Sequence, residues 1–167
     1  MFDGQSVLRR GLNEIMRRRI DAGSATREPH KVWNAFVDLI ATEDFNELSP
    51  LQRKAHLVFW YESEVQNGGH GQYFENIGAG RLGETIAALR DLGLQCQATA
   101  LRRAEDSLAA AQDPADWAHA LSVELLGQLD DAFHRCAPDI PAALERHLQA
   151  YRAEYIEITA SEASPAA

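Results

Sequence analysis

Amide and aromatic side chains crowd around two adjacent glycines in the run Val65-Gln66-Asn67-Gly68-Gly69-His70-Gly71-Gln72-Tyr73-Phe74-Glu75-Asn76, and two kinds of chemistry fit them. Asn67, Gln72 and Asn76 carry both donors and acceptors, so with Tyr73 they can close the backbone groups that two abutting helix ends leave open. The same amides, with Trp60, Tyr61 and His70, can instead line a small polar cleft that holds a ligand or a peptide carboxylate at a helix N-terminus. In either reading the segment is a corner. Asn67 suits a helix C-terminus, Gly68 the left-handed conformation that closes it, and Gly69 lets the chain start a short new helix at an angle.

Elsewhere the search for reactive groups is negative. The histidines His30, His56, His70, His119, His134 and His147 include no pair at the i, i+4 spacing that sets two imidazoles on one helical face. Asp131 and His134 stand three apart, but a di-metal bundle needs that element on two helices together with further inward glutamates, so a solvent-facing ion pair is the expectation. Gly68-Gly69-His70-Gly71 follows a helix and lacks the lysine and hydroxyl of a phosphate loop, and no glycine-x-serine-x-glycine elbow occurs. Cys96 and Cys136 fall in helical patterns without metal-ligand spacing and are expected to be buried or half-buried free thiols rather than a disulfide. We therefore expect no enzymatic activity, no cofactor and no metal.

Charge is distributed unevenly over the 167 residues, whose net formal charge is −9. From Met1 to Lys31 seven basic residues face four acidic ones, a balance of +3. From Ala104 onward only Arg135, Arg146 and Arg152 oppose twelve carboxylates, a balance of −9. Such an acidic end repels nucleic acid and attracts a basic surface. Glu105, Asp106, Asp113, Asp116, Glu124, Asp130, Asp131, Asp139, Glu145, Glu154 and Glu157 are the candidates for a partner-binding face; excess carboxylate that only keeps the chain in solution is the simpler reading. Carboxylates three or four positions apart on a helix lie ~5–6 Å from one another, near the phosphate spacing along a nucleic-acid strand. The arginines at 17 to 19 suggest phosphate contact, a solvated face, or an intramolecular partner for the acidic half.

The elements that must position these residues read as helices, with no strand alternation. Leu8, Leu12 and Ile15 mark a first helix ended by Gly23-Ser24. Trp33, Phe36, Val37 and Ile40 mark a second, opened near Pro29. Ser49, Pro50 and Gln52 form a capping-box start for a third that runs to the glycine pair. A fourth is short, about Gln72 to Asn76. Leu82, Ile86 and Leu89 line a fifth, and Leu101, Ala104 and Leu108 a sixth. Asp113-Pro114-Ala115-Asp116 opens a helix with the stripe Trp117, Leu121, Leu125, Leu129, Phe133. The last carries Ile140, Leu144, Leu148, Tyr151, Tyr155 and Ile158. The fold class expected is an all-α bundle of seven to eight helices, one domain over residues 1–160 with a disordered tail at 161–167. With no apolar run long enough to cross a membrane and no signal-peptide order at the start, a cytoplasmic location is expected.

The corner, the Leu48-Ser49-Pro50 helix start before it and the helix ending in Leu92-Gly93 after it together resemble a family of small all-helical bacterial proteins, catalogued mainly as a domain of unknown function. Its pattern is valine-x-asparagine-glycine-glycine-x-x-glutamine-aromatic-aromatic-x-asparagine, matched from Val65 to Asn76. His70 and Gly71 depart from the commoner apolar or aromatic residue followed by a polar one. The resemblance spans roughly Ser49 to Leu108. It implies an acidic interaction protein, since the family includes a Neisseria DNA-mimic protein that occupies the DNA-binding surface of a transcription factor. A basic DNA-binding protein is then the expected partner, no nucleic acid is bound directly, and a homodimer stays open. The competing reading is a small-molecule- or peptide-binding domain, possibly enzymatic, with its site at the glycine corner.

Overall fold

A computed structural model describes residues 15–113 and 116–160. In chain order these form β1 (Arg18–Asp21), α1 (Ala22–Arg27), α2 (Pro29–Thr42), α3 (Pro50–Asn76), α4 (Leu82–Asp91), α5 (Gln95–Ala110), α6 (Trp117–Ala120), α7 (Val123–Arg135), α8 (Ile140–Tyr155) and β2 (Ile156–Thr159). Eight helices among the described residues make the chain an all-α bundle.

The central helix α3 starts as the sequence dictates. Ser49 Oγ accepts from the Gln52 backbone N–H at 3.3 Å while Gln52 Oε1 accepts from the Ser49 N–H at 2.9 Å, a reciprocal capping box with Pro50 just inside. The far end of the same Gln52 side chain donates from Nε2 to the carbonyls of Met16 and Glu154, both at 2.7 Å. One buried amide thus caps a helix and ties the start of the described chain to its end. Helices α2, α4, α7 and α8 pack against α3, and α5 packs against α4 and α7. The apolar stripes supply the core: Phe36, Leu39 and Ile40 from α2, Ile86 and Leu89 from α4, Leu101, Ala104 and Leu108 from α5, Leu129 and Phe133 from α7, and Leu144 and Leu148 from α8 are all buried.

Five expectations need correction. Strands do occur: β1 and β2 pair in parallel, with Arg18 opposite Ile156 and Ile20 opposite Ile158. Four residues are too few for alternation to register, and the pairing joins segments at opposite ends of the chain. Of the expected first helix, Leu8 and Leu12 lie outside the described residues, while Ile15–Arg17 are non-helical and Arg18–Asp21 are β1. Likewise the last helix stops at Tyr155 after a non-helical Tyr151 (φ −126°, ψ 29°), and Ile158 belongs to β2. The stripe from Trp117 to Phe133 is carried by two helices, because Ser122 turns out of helical geometry to cap α7, its hydroxyl accepting from the Leu125 N–H at 3.1 Å. Pro114, Ala115 and the tail at 161–167 lie outside the described residues.

The fifth correction concerns the cysteines, which are bonded to each other (S–S 2.05 Å, Cα–Cα 5.5 Å) rather than free. Forty residues separate them in sequence. Packing of α5 on α7 brings the start of one helix, at Cys96, beside the C-cap of the other, at Cys136. Helical periodicity says which residues face inward, but not which two helix ends meet.

The arginines at 18 and 19 are held by carboxylates of the same chain. Arg18 pairs with Asp38 at 2.5 Å and Glu43 at 2.7 Å, fastening β1 to α2, and Arg19 pairs with Glu157 at 3.0 Å across the two strands. The reading of this basic run as a partner for the acidic half holds for Arg19 alone, since the carboxylates on Arg18 belong to α2 and its C-cap.

Candidate functional site

At the glycine corner α3 breaks and resumes. Gly68 has φ −157°, ψ 22° and Gly69 φ 75°, ψ −177°, so the left-handed residue is Gly69 and not, as the sequence suggested, Gly68. The two glycines are needed for different reasons. A Cβ on Gly68 would fall on the Gln72 amide, 2.8 Å from its Cδ. That amide donates from Nε2 to Glu64 Oε2 at 2.8 Å, and Asn76 Nδ2 donates to the same oxygen at 2.8 Å. Gln72 and Asn76 therefore clamp the two arms of α3 through a carboxylate, where side-chain-to-backbone bonds were expected. Asn67 stands exposed outside this clamp.

Beneath Gly69 lies a relay that sequence reading missed. The His70 backbone N–H donates to Asp130 Oδ1 at 2.8 Å, His70 Nδ1 lies 2.7 Å from the same oxygen, and His70 Nε2 lies 2.9 Å from the Tyr61 hydroxyl. Tyr61 and His70 are both fully buried. Burial lowers the imidazole's pKa against the opposing pull of Asp130, and it raises that of the Tyr61 phenol. The neutral ring then donates from Nδ1 to Asp130 and accepts from Tyr61 through Nε2. The row runs from a part-exposed carboxylate into the core and ends there. It resembles the order of a hydrolytic triad, but its hydroxyl is closed in, so it fixes the corner onto α7 and presents no nucleophile to a substrate. A Cβ on Gly69 would stand 2.7 Å from Asp130 Oδ2, so Asp130 and Gly69 define each other's space.

The cleft proposed around the corner forms elsewhere. Tyr61 and His70 are buried in the core, whereas Trp60, Tyr73 and Asn76 line an open cleft of about 640 Å³ between α3 and the start of α4, together with Phe45, His56 and Arg81.

The acidic candidates fall into three groups. On α5 and α7 and between α5 and α6, Asp106, Asp113, Asp116, Glu124 and Asp131 are exposed, Glu105 is half-buried and paired with Arg102, and Asp116 also pairs with His119 at 2.6 Å. Asp130 is engaged by His70. On α8 and β2, Asp139 caps α8 by accepting from the Ala142 N–H at 2.8 Å, Glu154 is half-buried, Glu157 is paired with Arg19, and Glu145 is exposed. The structure thus does not gather all eleven on one element pair. Asp131 and His134 are both exposed, with no ion pair between them among the described residues, and no group of three or more metal-ligating side chains occurs there. No helix among the described residues is long and apolar enough to cross a membrane.

Neutral burial has a pH signature. Burial lowers the pKa of His56 and His70, and that of His147, whose Nε2 lies 2.6 Å from the Tyr155 hydroxyl, to about 4. In the unfolded chain these rings titrate near 6.5. The unfolded state therefore takes up more protons as pH falls, so their contribution is complete above about pH 6.5 and is lost below it. The melting temperature should hold level above neutrality and drop as pH falls from about 6.5 towards 4. A melting temperature unchanged across that interval contradicts neutral burial.

An all-helical bundle with a clamped glycine corner and acidic helices defines the class. The chain belongs to the DMP19-like protein family, whose model matches residues 46–156, from just before the capping box of α3 to the first residue of β2. Comparisons with curated proteins and with solved structures give no match.

Proposed function

We propose that this chain is a non-enzymatic, DNA-mimic-like interaction protein whose acidic helices bind the basic DNA-reading surface of a transcription factor or another nucleic-acid-binding protein. The observation that carries this is the charge of one helix assembly. Between Ala104 and Arg135, covering the second half of α5, α6 and α7, seven carboxylates face a single arginine. Asp106, Asp113, Asp116, Glu124 and Asp131 are exposed there, and membership of the DMP19-like family supports the same reading. We centre the surface on these five with Glu105. Asp130 is left out because its carboxylate holds His70, and Glu157 because it lies on β2, outside this stretch.

A face of this kind attracts basic surfaces with strong salt dependence and repels phosphate. Two measurements test it together. Labelled duplex DNA should show no shift with the purified protein at physiological salt, since Arg18 and Arg19 are already paired. A basic DNA-binding protein should be retained by the immobilised chain at low salt and released as salt rises. A salt-sensitive shift of the duplex contradicts the proposal.

A further inference from the structure

We propose that the cleft between α3 and α4 binds a small aromatic carboxylate, its ring against Leu57 and Trp60 and its carboxylate on Arg81. This inference is independent of the acidic-surface reading and rests on different residues. The cleft's volume, about 640 Å³, falls in the range of small-molecule sites, which are concave, mostly apolar and furnished with a few polar groups. Its walls are aromatic and aliphatic: Phe45 at one side, Leu57 and Trp60 from the first arm of α3, Ile77 beyond the second.

Charge selects the ligand. In a chain of net charge −9, no aspartate or glutamate lines this cleft, and its one permanently charged lining group is Arg81. The Arg81 guanidinium lies over the Phe45 ring, 3.7 Å from its centroid, which fixes its plane. Only Nη1 is engaged by another side chain among the described residues, by Glu84 at 3.2 and 3.5 Å. Such an exposed i, i+3 pair contributes little and exchanges readily, while a fixed guanidinium fork suits a carboxylate. His56 adds no second cation: its Nδ1 donates to the Ile40 carbonyl at 2.7 Å, and burial, with Arg81 nearby, keeps the ring neutral. Its free nitrogen is an acceptor, so a ligand bearing an N–H alongside its carboxylate, such as an indole acid, is the better fit. The cation belongs to Arg81 alone, and Arg81 is the specificity determinant.

The test uses indole-3-acetate and 3-phenylpropionate beside their uncharged amides, titrated into the full chain and followed by calorimetry and by the Trp60 indole N–H resonance. Both acids should bind saturably and about ten-fold more tightly than their amides. Arg81→Gln should abolish that preference, and Glu84→Gln, which removes the competing carboxylate, should sharpen it. Gly80 provides a second variant, because a Cβ there meets nothing within 4 Å. Gly80→Val should keep the fold, checked by circular dichroism, and weaken acids and amides alike by narrowing the cleft. The proposal is overturned by the absence of saturable binding of either acid at millimolar concentration, by equal affinity for acid and amide, by a carboxylate preference that survives Arg81→Gln, or by affinities that Gly80→Val leaves unchanged.

Discussion

Breaking the Cys96–Cys136 bridge is expected to give the largest single loss of stability. The chain-entropy relation for a closed loop of about 40 residues gives about 4 kcal/mol, acting chiefly by freeing the unfolded chain. The native side adds a local consequence, because the bridge joins the start of α5 to the end of α7. Beside it Gln97 Nε2 donates to the Pro138 carbonyl at 2.7 Å, so the junction has a second tie that holds the helices in register after reduction. Reduced protein, or the Cys96→Ser/Cys136→Ser pair, should therefore unfold at markedly lower denaturant concentration while retaining native helicity at 25 °C. Denaturant titration with and without a dithiol checks this, and superposable curves contradict the bridge. Because Cys96 is exposed and Cys136 half-buried, a dithiol reaches the bond in the folded protein.

Second in size is the effect of a side chain at Gly69. Its φ of 75° costs a non-glycine residue about 1–2 kcal/mol. The added Cβ must also displace the Asp130 carboxylate, which releases the His70 backbone N–H and imidazole from their acceptor at a further ~1–3 kcal/mol. Gly69→Ala should thus destabilise by roughly 2–5 kcal/mol. Asp130→Ala, which removes the acceptor but leaves the backbone unstrained, should account for about 1–3 kcal/mol of that. The double variant should lose less than the sum, since both act on one contact. Gly68→Ala is different in kind: no left-handed φ is involved, and its cost comes from pushing the Gln72 amide off Glu64. Thermal denaturation of the four proteins decides the matter. Equal, small losses at Gly68 and Gly69 remove the assignment of distinct roles.

Much of this architecture was legible in residue order, and what was missed has a common physical cause. The capping box at Ser49, the apolar stripes of α2, α4 and α5, and the existence of a corner at the glycine pair all follow from interactions within a few residues. Features made by residues distant in sequence escaped: the parallel pairing of Ile20 with Ile158, the disulfide, and the contact of Asp130 with a histidine 60 residues away. Asp130 illustrates this best. In the sequence it is one carboxylate among twelve in an acidic stretch; in the fold it is the acceptor that seats the corner on α7. His70, where the sequence departs from the family pattern, is the partner that explains Asp130. The roles of the two glycines were exchanged for a similar reason, since local propensity identifies a break but not which residue of a pair turns left-handed.

A single binding measurement separates the acidic face from the corner as the site of partner binding. Four immobilised proteins would be compared for retention of a basic DNA-binding protein from nuclease-treated cell extract, with duplex DNA as competitor: the unaltered chain, Glu124→Lys/Asp131→Lys, Asn67→Ala and Gln72→Ala. Both reversed residues are exposed and lie outside the His70 relay, so the fold should survive their change. Added duplex should displace the retained protein, the charge-reversed variant should retain several-fold less with a flatter salt dependence, and Asn67→Ala and Gln72→Ala should retain as much as the unaltered chain. Retention unaffected by charge reversal but abolished by Asn67→Ala or Gln72→Ala would place the binding site at the corner and contradict the acidic-surface account.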